Sequence, residues 1–129
     1  MVDRKNYKLL YVEDNLANLR LLERIVRRHT PFVFISASDG RSGADMARNE
    51  LPDLIVLDIE LPVMDGYEVF ALLRSSPCTA QIPVIALSAS ARKEDIEKGL
   101  QAGFMRYLTK PVDVLYFIRI LDQILDTLP

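Results

Sequence analysis

Five polar side chains that could do chemistry follow short apolar runs along the chain. They are Glu13, Asp14, Asp58, Ser88 and Lys110. Three carboxylates with no histidine or cysteine beside them form the all-oxygen ligand set of a hard cation, above all Mg²⁺. The lysine adds a positive charge opposite the acids, and the serine hydroxyl can donate a hydrogen bond to an oxyanion. Brought together, these side chains would make a site for a metal ion and an anion.

The apolar runs predict β-strands. They cover residues 9–12, 32–35, 54–57, 84–87 and, more weakly, 104–108. The middle runs do not alternate between apolar and polar residues, which is typical of parallel strands buried on both faces. Segments with helical spacing separate and follow the strands, at residues 15–29, 41–50, 66–75, 91–102 and 112–127.

This alternation predicts an α/β fold of the (βα)₅ type. The expected architecture is a flavodoxin-like, doubly wound parallel sheet of five strands in the order 2-1-3-4-5. Ligands bind such sheets at the carboxyl ends of the strands, beside the point where the order reverses. Because strands 1 and 3 are neighbours, Glu13, Asp14 and Asp58 should converge there. Like charges at that distance need compensation, which Lys110 and a metal ion would provide.

Local signals predict three helix ends. Pro31 disfavours helical geometry at the preceding residue and should end the first helix. Asp65 and Glu68 have the spacing of a capping box at the start of the third. Gly103 is expected to end the fourth.

Composition excludes several classes of protein. The 129 residues predict one domain, residues 8–128, after a polar lead-in at residues 1–7. A net charge of −2 argues against direct nucleic-acid binding. One cysteine and one histidine leave no material for a disulfide or a His/Cys metal centre. No apolar stretch is long enough for membrane insertion and no signal peptide is evident, so we expect a cytoplasmic location.

The last helical segment is unusually apolar. At about 100° per residue, one stripe contains Val114, Phe117, Leu121, Ile124 and Leu128. Leu115 and Ile118 are expected on one flank of that stripe, and Ile120 on the other. These additional apolar residues outside the stripe favour a surface that binds a homodimer mate or an output domain. Ile118→Glu should then weaken association.

Four motifs carry a resemblance to a known family. They are Tyr11–Asn15 (YVEDN), Leu57–Gly66 (LDIELPVMDG), Leu87–Ala89 (LSA) and Lys110–Pro111 (KP). In order and spacing they resemble the receiver domain of two-component response regulators, and the likeness extends over roughly residues 8–128. The segment 13–18 is similar in style to the receivers of hybrid sensor histidine kinases, so the chain is either a stand-alone receiver or part of a larger protein.

The resemblance implies a role for each site residue. Asp58 is the expected phosphoacceptor. Glu13, Asp14 and Asp58, with the backbone carbonyl of Glu60, are expected to hold Mg²⁺, the one cofactor implied. Lys110 is expected to contact the acceptor carboxylate and the phosphoryl group.

The resemblance also implies that a second group of residues takes part in a conformational switch. Ser88 occupies the position of the switch hydroxyl, and Tyr107 that of the aromatic ring that moves with it. The Lys110–Pro111 bond is expected to be cis. Glu60 and Ser90 lie at the variable positions by which the family tunes its dephosphorylation rate.

Partners and activity follow from the same resemblance. The donor would be a phosphohistidine on a histidine kinase or a histidine phosphotransfer domain, since His29 lacks the setting of a phosphodonor. Phosphorylation would switch the face formed by helix 4, strand 5 and helix 5. The domain would catalyse its own phosphorylation and dephosphorylation in a Mg²⁺-dependent reaction, without turnover of a free metabolite.

Two other functions stay open. A pseudo-receiver would use the same fold for binding and never be phosphorylated, although the intact acids, Ser88 and Lys110 argue against it. An aspartyl-phosphate hydrolase of the haloacid dehalogenase type also uses a strand-end aspartate and Mg²⁺. Its Asp-x-Asp-x-Thr signature on the first strand is not matched by residues 58–62.

Overall fold

Strands and helices alternate along residues 6–129, the part of the chain that the computed structural model describes. The strands are β1 (Lys8–Val12), β2 (Val33–Ala37), β3 (Leu54–Asp58), β4 (Val84–Ser88) and β5 (Arg106–Thr109). The helices are α1 (Leu16–His29), α2 (Gly40–Glu50), α3 (Gly66–Ser75), α4 (Lys93–Ala102) and α5 (Val114–Leu125).

The five strands form one parallel sheet in the order β2-β1-β3-β4-β5, which confirms the predicted topology. Val12 of β1 pairs with Leu57 of β3, so the residues that follow each strand meet at one edge. On the other side, Ser88 of β4 lies in register with Thr109 of β5. This register brings the ends of four strands to the same region.

Helices cover both faces of the sheet. The apolar sides of α1 and α5 pack on one face around Leu22, Phe117 and Leu121. The apolar sides of α2 and α3 pack on the other around Ala47 and Phe70, and α4 contacts the edge strand β5. Because both faces are covered, every residue of β3 and β4 is buried, as their continuous apolar runs predict.

The predicted helix ends are confirmed. The first helix ends at His29, with the Thr30 N–H bonded to the Val26 carbonyl. Asp65 and Glu68 form a reciprocal capping box at the start of α3. Gly103 follows α4 with a φ of 115°.

Strand β5 begins two residues later than the apolar run 104–108 predicts. Phe104 is buried, but its ring stacks on that of Phe70 at 4.3 Å between centroids. The residue contributes to the core without belonging to the strand ladder. At Phe104, the apolar character therefore indicates burial and not membership of a strand.

The predicted stripe of α5 is wrong in part. The buried residues are Phe117, Ile120, Leu121 and Ile124, so Ile120 faces the core. Val114 is 39% exposed, whereas Leu128 packs against the core as predicted, although the helix ends at Leu125. Spacings of three and four residues define the buried stripe, and its centre lies closer to Ile120 than predicted. Ile118 is half-buried and packs against the core, whereas Leu115 is 76% exposed.

Tyr7, near the start of the described residues, contacts the last residue, Pro129. Residues 1–5 of the predicted polar lead-in lie outside the described part of the chain. Tyr7 packs against the core, and its hydroxyl donates a hydrogen bond to the Pro129 carbonyl. Among residues 6–129, no helix combines the length and apolar character needed to cross a membrane.

Candidate functional site

Three carboxylates converge at the carboxyl edge of the sheet. Glu13 and Asp14 follow β1, and Asp58 is the last residue of β3. One oxygen from each carboxylate lies within 4.8 Å of the others. Glu13 and Asp58 are almost completely buried, at 1% and 2% exposure, and Asp14 is exposed. The pairing of β1 with β3 therefore places two negative charges in the protein interior.

Lys110 compensates these charges. Its Nζ lies 3.2 Å from Oε1 of Glu13 and 3.1 Å from Oδ1 of Asp58. The lysine follows β5, and its backbone N–H donates to the Ser88 carbonyl at 2.8 Å. The Lys110–Pro111 peptide bond is cis. A side chain from the edge strand thus reaches the acids at the centre of the sheet.

The pKa values show that one positive charge does not neutralise the cluster. Burial raises the pKa of Asp58 to about 6, assisted by Glu13 and opposed by Lys110. Burial alone would also raise the pKa of Glu13, but hydrogen bonds from Tyr11, Asp58 and the Asn15 N–H outweigh it and lower that pKa. Desolvation opposes protonation of Lys110, yet its bond to Asp58 and the two acids hold its pKa above the usual value.

The donor set fits Mg²⁺. Glu13, Asp14 and Asp58 offer oxygen ligands only, as hard cations require. The raised pKa of Asp58 indicates negative charge that a cation would stabilise. Glu60, whose backbone carbonyl is the fourth predicted ligand, has its N–H bonded to Oδ1 of Asp58 at 3.0 Å. This bond keeps the Glu60 backbone beside the cluster.

Tyr11 forms a hydrogen bond with Glu13, a role that the sequence motifs did not indicate. Its hydroxyl donates to Oε1 of Glu13 at 2.6 Å, and the Asn15 N–H donates to Oε2 at 3.2 Å. The tyrosine is 1% exposed. Residues two apart on a strand share a face, so the spacing of Tyr11 and Glu13 was a usable signal.

The Glu60 side chain makes contacts that the sequence did not indicate. The Ser88 hydroxyl donates to Oε2 of Glu60 at 2.6 Å, and the Ala89 N–H donates to Oε1 at 2.7 Å. Ser88 is 1% exposed, whereas Glu60 lies at the surface. A glutamate in a loop has many rotamers, and no local pattern indicates which one reaches Ser88.

Tyr107 occupies a defined position beside the site. Its hydroxyl donates to the Ser90 carbonyl at 3.0 Å. Its ring packs on α4 at Gly99, where an added Cβ would lie 2.6 Å from a ring carbon. The two predicted switch residues, Ser88 and Tyr107, are thus connected through the short segment that contains Ser90.

The loop between β3 and α3 folds tightly against Asp58. The N–H of Gly66 donates to the Ile59 carbonyl at 2.9 Å. A Cβ at Gly66 would lie 2.7 Å from the Ile59 Cα and 2.8 Å from the Asp58 carbonyl oxygen. Because both contacts are with backbone, a side chain here would displace the segment that holds Asp58.

Comparisons with known proteins agree on one family. A family model described as the response regulator receiver domain matches residues 9–122. The chain is 36% identical over 117 residues to the polar-differentiation response regulator DivK of Brucella anthropi, covering 91% of this chain and 94% of that protein. It is 39% identical over 114 residues to the response regulator PleD of Caulobacter vibrioides, covering 88% of this chain. It spans only 25% of the length of PleD.

A solved structure shows the same architecture. The receiver domain of the sensor histidine kinase PA1611 from Pseudomonas aeruginosa superposes with a TM-score of 0.84 and 33% sequence identity. The match covers 95% of this chain and 99% of that domain. That crystal structure has a magnesium ion coordinated in its active site cleft.

Proposed function

Since the chain belongs to the response regulator receiver domain family, we propose that it is the phosphoacceptor of a two-component phosphorelay, with Asp58 as the acceptor. The observation that carries this proposal is the setting of the Asp58 carboxylate. It is buried, lies 3.1 Å from the Lys110 ammonium, and has two further carboxylates within 4.8 Å. The phosphoryl donor is a histidine kinase or a histidine phosphotransfer domain, and the site of action is cytoplasmic.

Asp58 is the nucleophile. With a pKa of about 6, its carboxyl group is mostly ionised at neutral pH. One carboxylate oxygen forms a bond to phosphorus while the phosphorus–nitrogen bond of the phosphohistidine breaks. The electron pair of that bond remains on the imidazole nitrogen, and the product on Asp58 is an acyl phosphate.

Charge neutralisation and positioning supply most of the catalysis in phosphoryl transfer. Lys110 contributes a fixed ammonium beside Asp58. Ser88 and the Ala89 N–H are donors for a phosphoryl oxygen. Glu13, Asp14, Asp58 and the Glu60 carbonyl would hold Mg²⁺, which when bound supplies positive charge to the phosphoryl oxygens.

The experiment is phosphorylation by acetyl phosphate with Mg²⁺, followed by intact-mass measurement. We expect one phosphoryl group, labile to hydroxylamine, on the wild type and none on Asp58→Ala. The matched control is Asp45→Ala, which removes an exposed carboxylate from α2 and should label normally. Equal labelling of Asp58→Ala would overturn the assignment of the acceptor.

This labelling experiment and an assay with a chromogenic phosphate ester together separate the two alternative functions. A pseudo-receiver would take up no phosphoryl group from any donor. An aspartyl-phosphate hydrolase would turn over a chromogenic phosphate ester through many cycles. We expect stoichiometric labelling by acetyl phosphate and no sustained release of the chromophore.

A further inference from the structure

The side chain of Glu60 binds where an anion would bind in the proposed reaction. Its two carboxylate oxygens accept one hydrogen bond each, from the Ser88 hydroxyl at 2.6 Å and from the Ala89 N–H at 2.7 Å. Both donors face the same carboxylate, so Glu60 makes a two-point contact. This is the hydrogen-bonding pattern of an oxyanion held by a hydroxyl and a backbone amide.

Neither donor has a proton left for another acceptor. The Ser88 hydroxyl carries a single proton, and its oxygen already accepts a hydrogen bond from the Ser90 N–H at 3.1 Å. The Ala89 amide likewise has one proton. A phosphoryl oxygen on Asp58 can therefore bind these donors only after the Glu60 carboxylate leaves them.

Glu60 also forms a hydrogen bond with Asp58, the proposed phosphoacceptor. Its backbone N–H donates to Oδ1 of Asp58 at 3.0 Å, so its side chain and its backbone bind the two halves of the site. Beside the side chain is a cavity whose lining includes Glu60, Ser88 and Lys98. A displaced carboxylate would lie beside this cavity, which contains the carboxylates of Asp65 and Asp95 as well as the Lys98 ammonium, whose Nζ lies 4.5 Å from the centre of the Tyr67 ring.

From these contacts we propose that the Glu60 carboxylate is an internal competitor of the phosphoryl group, which must displace it from Ser88 and Ala89 before the acyl phosphate is fully bound. The proposal rests on the proposed function for its consequence but not for the contact itself. It assigns to the Glu60 side chain a role separate from that of its backbone carbonyl. The residue acts through Ser88 and Ala89, so it is a positioning residue rather than the nucleophile.

The rate of labelling of Asp58 by acetyl phosphate with Mg²⁺ tests the consequence. Glu60→Ala removes the competitor, so its labelling should be faster by about tenfold, the effect of losing hydrogen bonds to a charged group. Glu60→Asp keeps the charge but shortens the side chain by one methylene group, and it should also be faster than wild type. Glu50→Ala removes a carboxylate that pairs with Lys8 at the opposite edge of the sheet, and its rate should equal that of wild type.

The Ala89 amide tests the contact independently of phosphorylation. In the unphosphorylated wild type, an amide proton bonded to a carboxylate should resonate downfield in a proton–nitrogen correlation spectrum. In Glu60→Ala this resonance should move upfield, while the amides of β1 and β3 stay in place and show that the fold is intact. An Ala89 resonance that does not move would overturn the proposal, whatever the labelling rates are.

The two proposals fail in different ways. Wild type and Glu60→Ala labelled at the same rate would overturn competition and leave Asp58 as the acceptor. Fast labelling of Glu60→Ala with wild-type rates for Glu60→Asp would overturn it too, since charge alone would then explain the effect. A shifted Ala89 resonance without labelling of any variant would instead overturn the phosphoacceptor function.

Discussion

Asp58 is a buried acid whose ionised form is incompletely compensated. Its pKa of about 6 lies well above the usual value of 3.8, chiefly because of burial and then because of Glu13. Between these two pH values the folded chain binds a proton that the unfolded chain has released. The contribution of Asp58 to stability therefore falls as pH rises through this window in the absence of metal.

Asp58→Asn should remove this pH dependence. In metal-free buffer, we expect the variant to gain about 1 to 3 kcal/mol over the wild type between about pH 4.5 and about pH 7.5. Urea unfolding of both proteins at the two pH values, with a chelator present, measures the gain. Adding Mg²⁺ at the higher pH should stabilise the wild type more than the variant, since a ligand of the folded state favours that state. A difference that is the same at both pH values would contradict the expectation.

The sequence indicated the backbone of the site better than its side-chain contacts. Glu13, Asp14 and Asp58 could be placed together because strand ends share one edge of a parallel sheet. The spacing of two residues indicates that Tyr11 and Glu13 share a face, so that contact could be inferred from the sequence. The carboxylate of Glu60 could not be placed in the same way, because its partners Ser88 and Ala89 are distant in the chain and are fixed by tertiary packing. The Tyr11–Glu13 and Ser88–Glu60 bonds are both 2.6 Å long, so they are part of the site.

At the scale of the elements, the loop from β3 to α3 contains a strained turn. Val63 has a φ of 67°, and the Met64 N–H donates to the Pro62 carbonyl at 2.7 Å, which closes a turn of three residues. A positive φ is unfavourable for a β-branched side chain, and γ-turns with a positive φ are rare and strained. Val63 is fully exposed, so its side chain has no packing that offsets the strain.

Val63→Gly should stabilise the chain. We expect the free energy of unfolding to rise by about 1 kcal/mol, since glycine adopts a positive φ without the steric cost. The matched control is Val33→Gly on the edge strand β2, where the backbone is extended and the same substitution should destabilise. Denaturant unfolding of the three proteins gives the comparison. A loss of stability in Val63→Gly would show that the turn is not strained.

Element boundaries were the least predictable part of the fold. The five strands and five helices and their order could be inferred from periodicity, because burial on both faces leaves continuous apolar runs. The apolar run 104–108 predicts a strand that includes Phe104, but Phe104 packs on Phe70 outside the ladder. In α5, the apolar residues cover a wide arc, so the sequence does not define the centre of the buried stripe, and Ile120 is buried although it is predicted on a flank.

The largest exposed apolar side chains on one side of the molecule belong to α4, α5 and the segment before β5. They are Leu100, Met105, Val114, Leu115 and Tyr116, each between 37% and 76% exposed. We define these residues as the α4–β5–α5 face. Tyr107, on β5, lies beside the same helices and connects to Ser90. A change at Ser88 can therefore reach this face through one short segment.

Leu115 is the residue with which to test association through this face. Sedimentation of the unphosphorylated and phosphorylated forms should show stronger self-association after phosphorylation, and Leu115→Glu should abolish the increase. Leu115 replaces Ile118 as the site of substitution, because Ile118 packs against the core. The control is Leu51→Glu, an exposed leucine that follows α2. Identical sedimentation of all forms would mean that the face binds no second copy.

The backbone hydrogen bond from Lys110 to the Ser88 carbonyl joins the ends of β4 and β5 at 2.8 Å. The side chain of Lys110 contacts Asp58. Ser88 lies two residues before Ser90, whose carbonyl accepts a hydrogen bond from the Tyr107 hydroxyl. Coupling between two sites is reciprocal: if phosphorylation raises the affinity for a partner by some factor, the partner raises the equilibrium constant for phosphorylation by the same factor. If the domain is phosphorylated as proposed, a protein that binds its phosphorylated form will also favour phosphorylation, and the phosphorylated fraction at a fixed donor concentration will depend on the concentration of that binding protein.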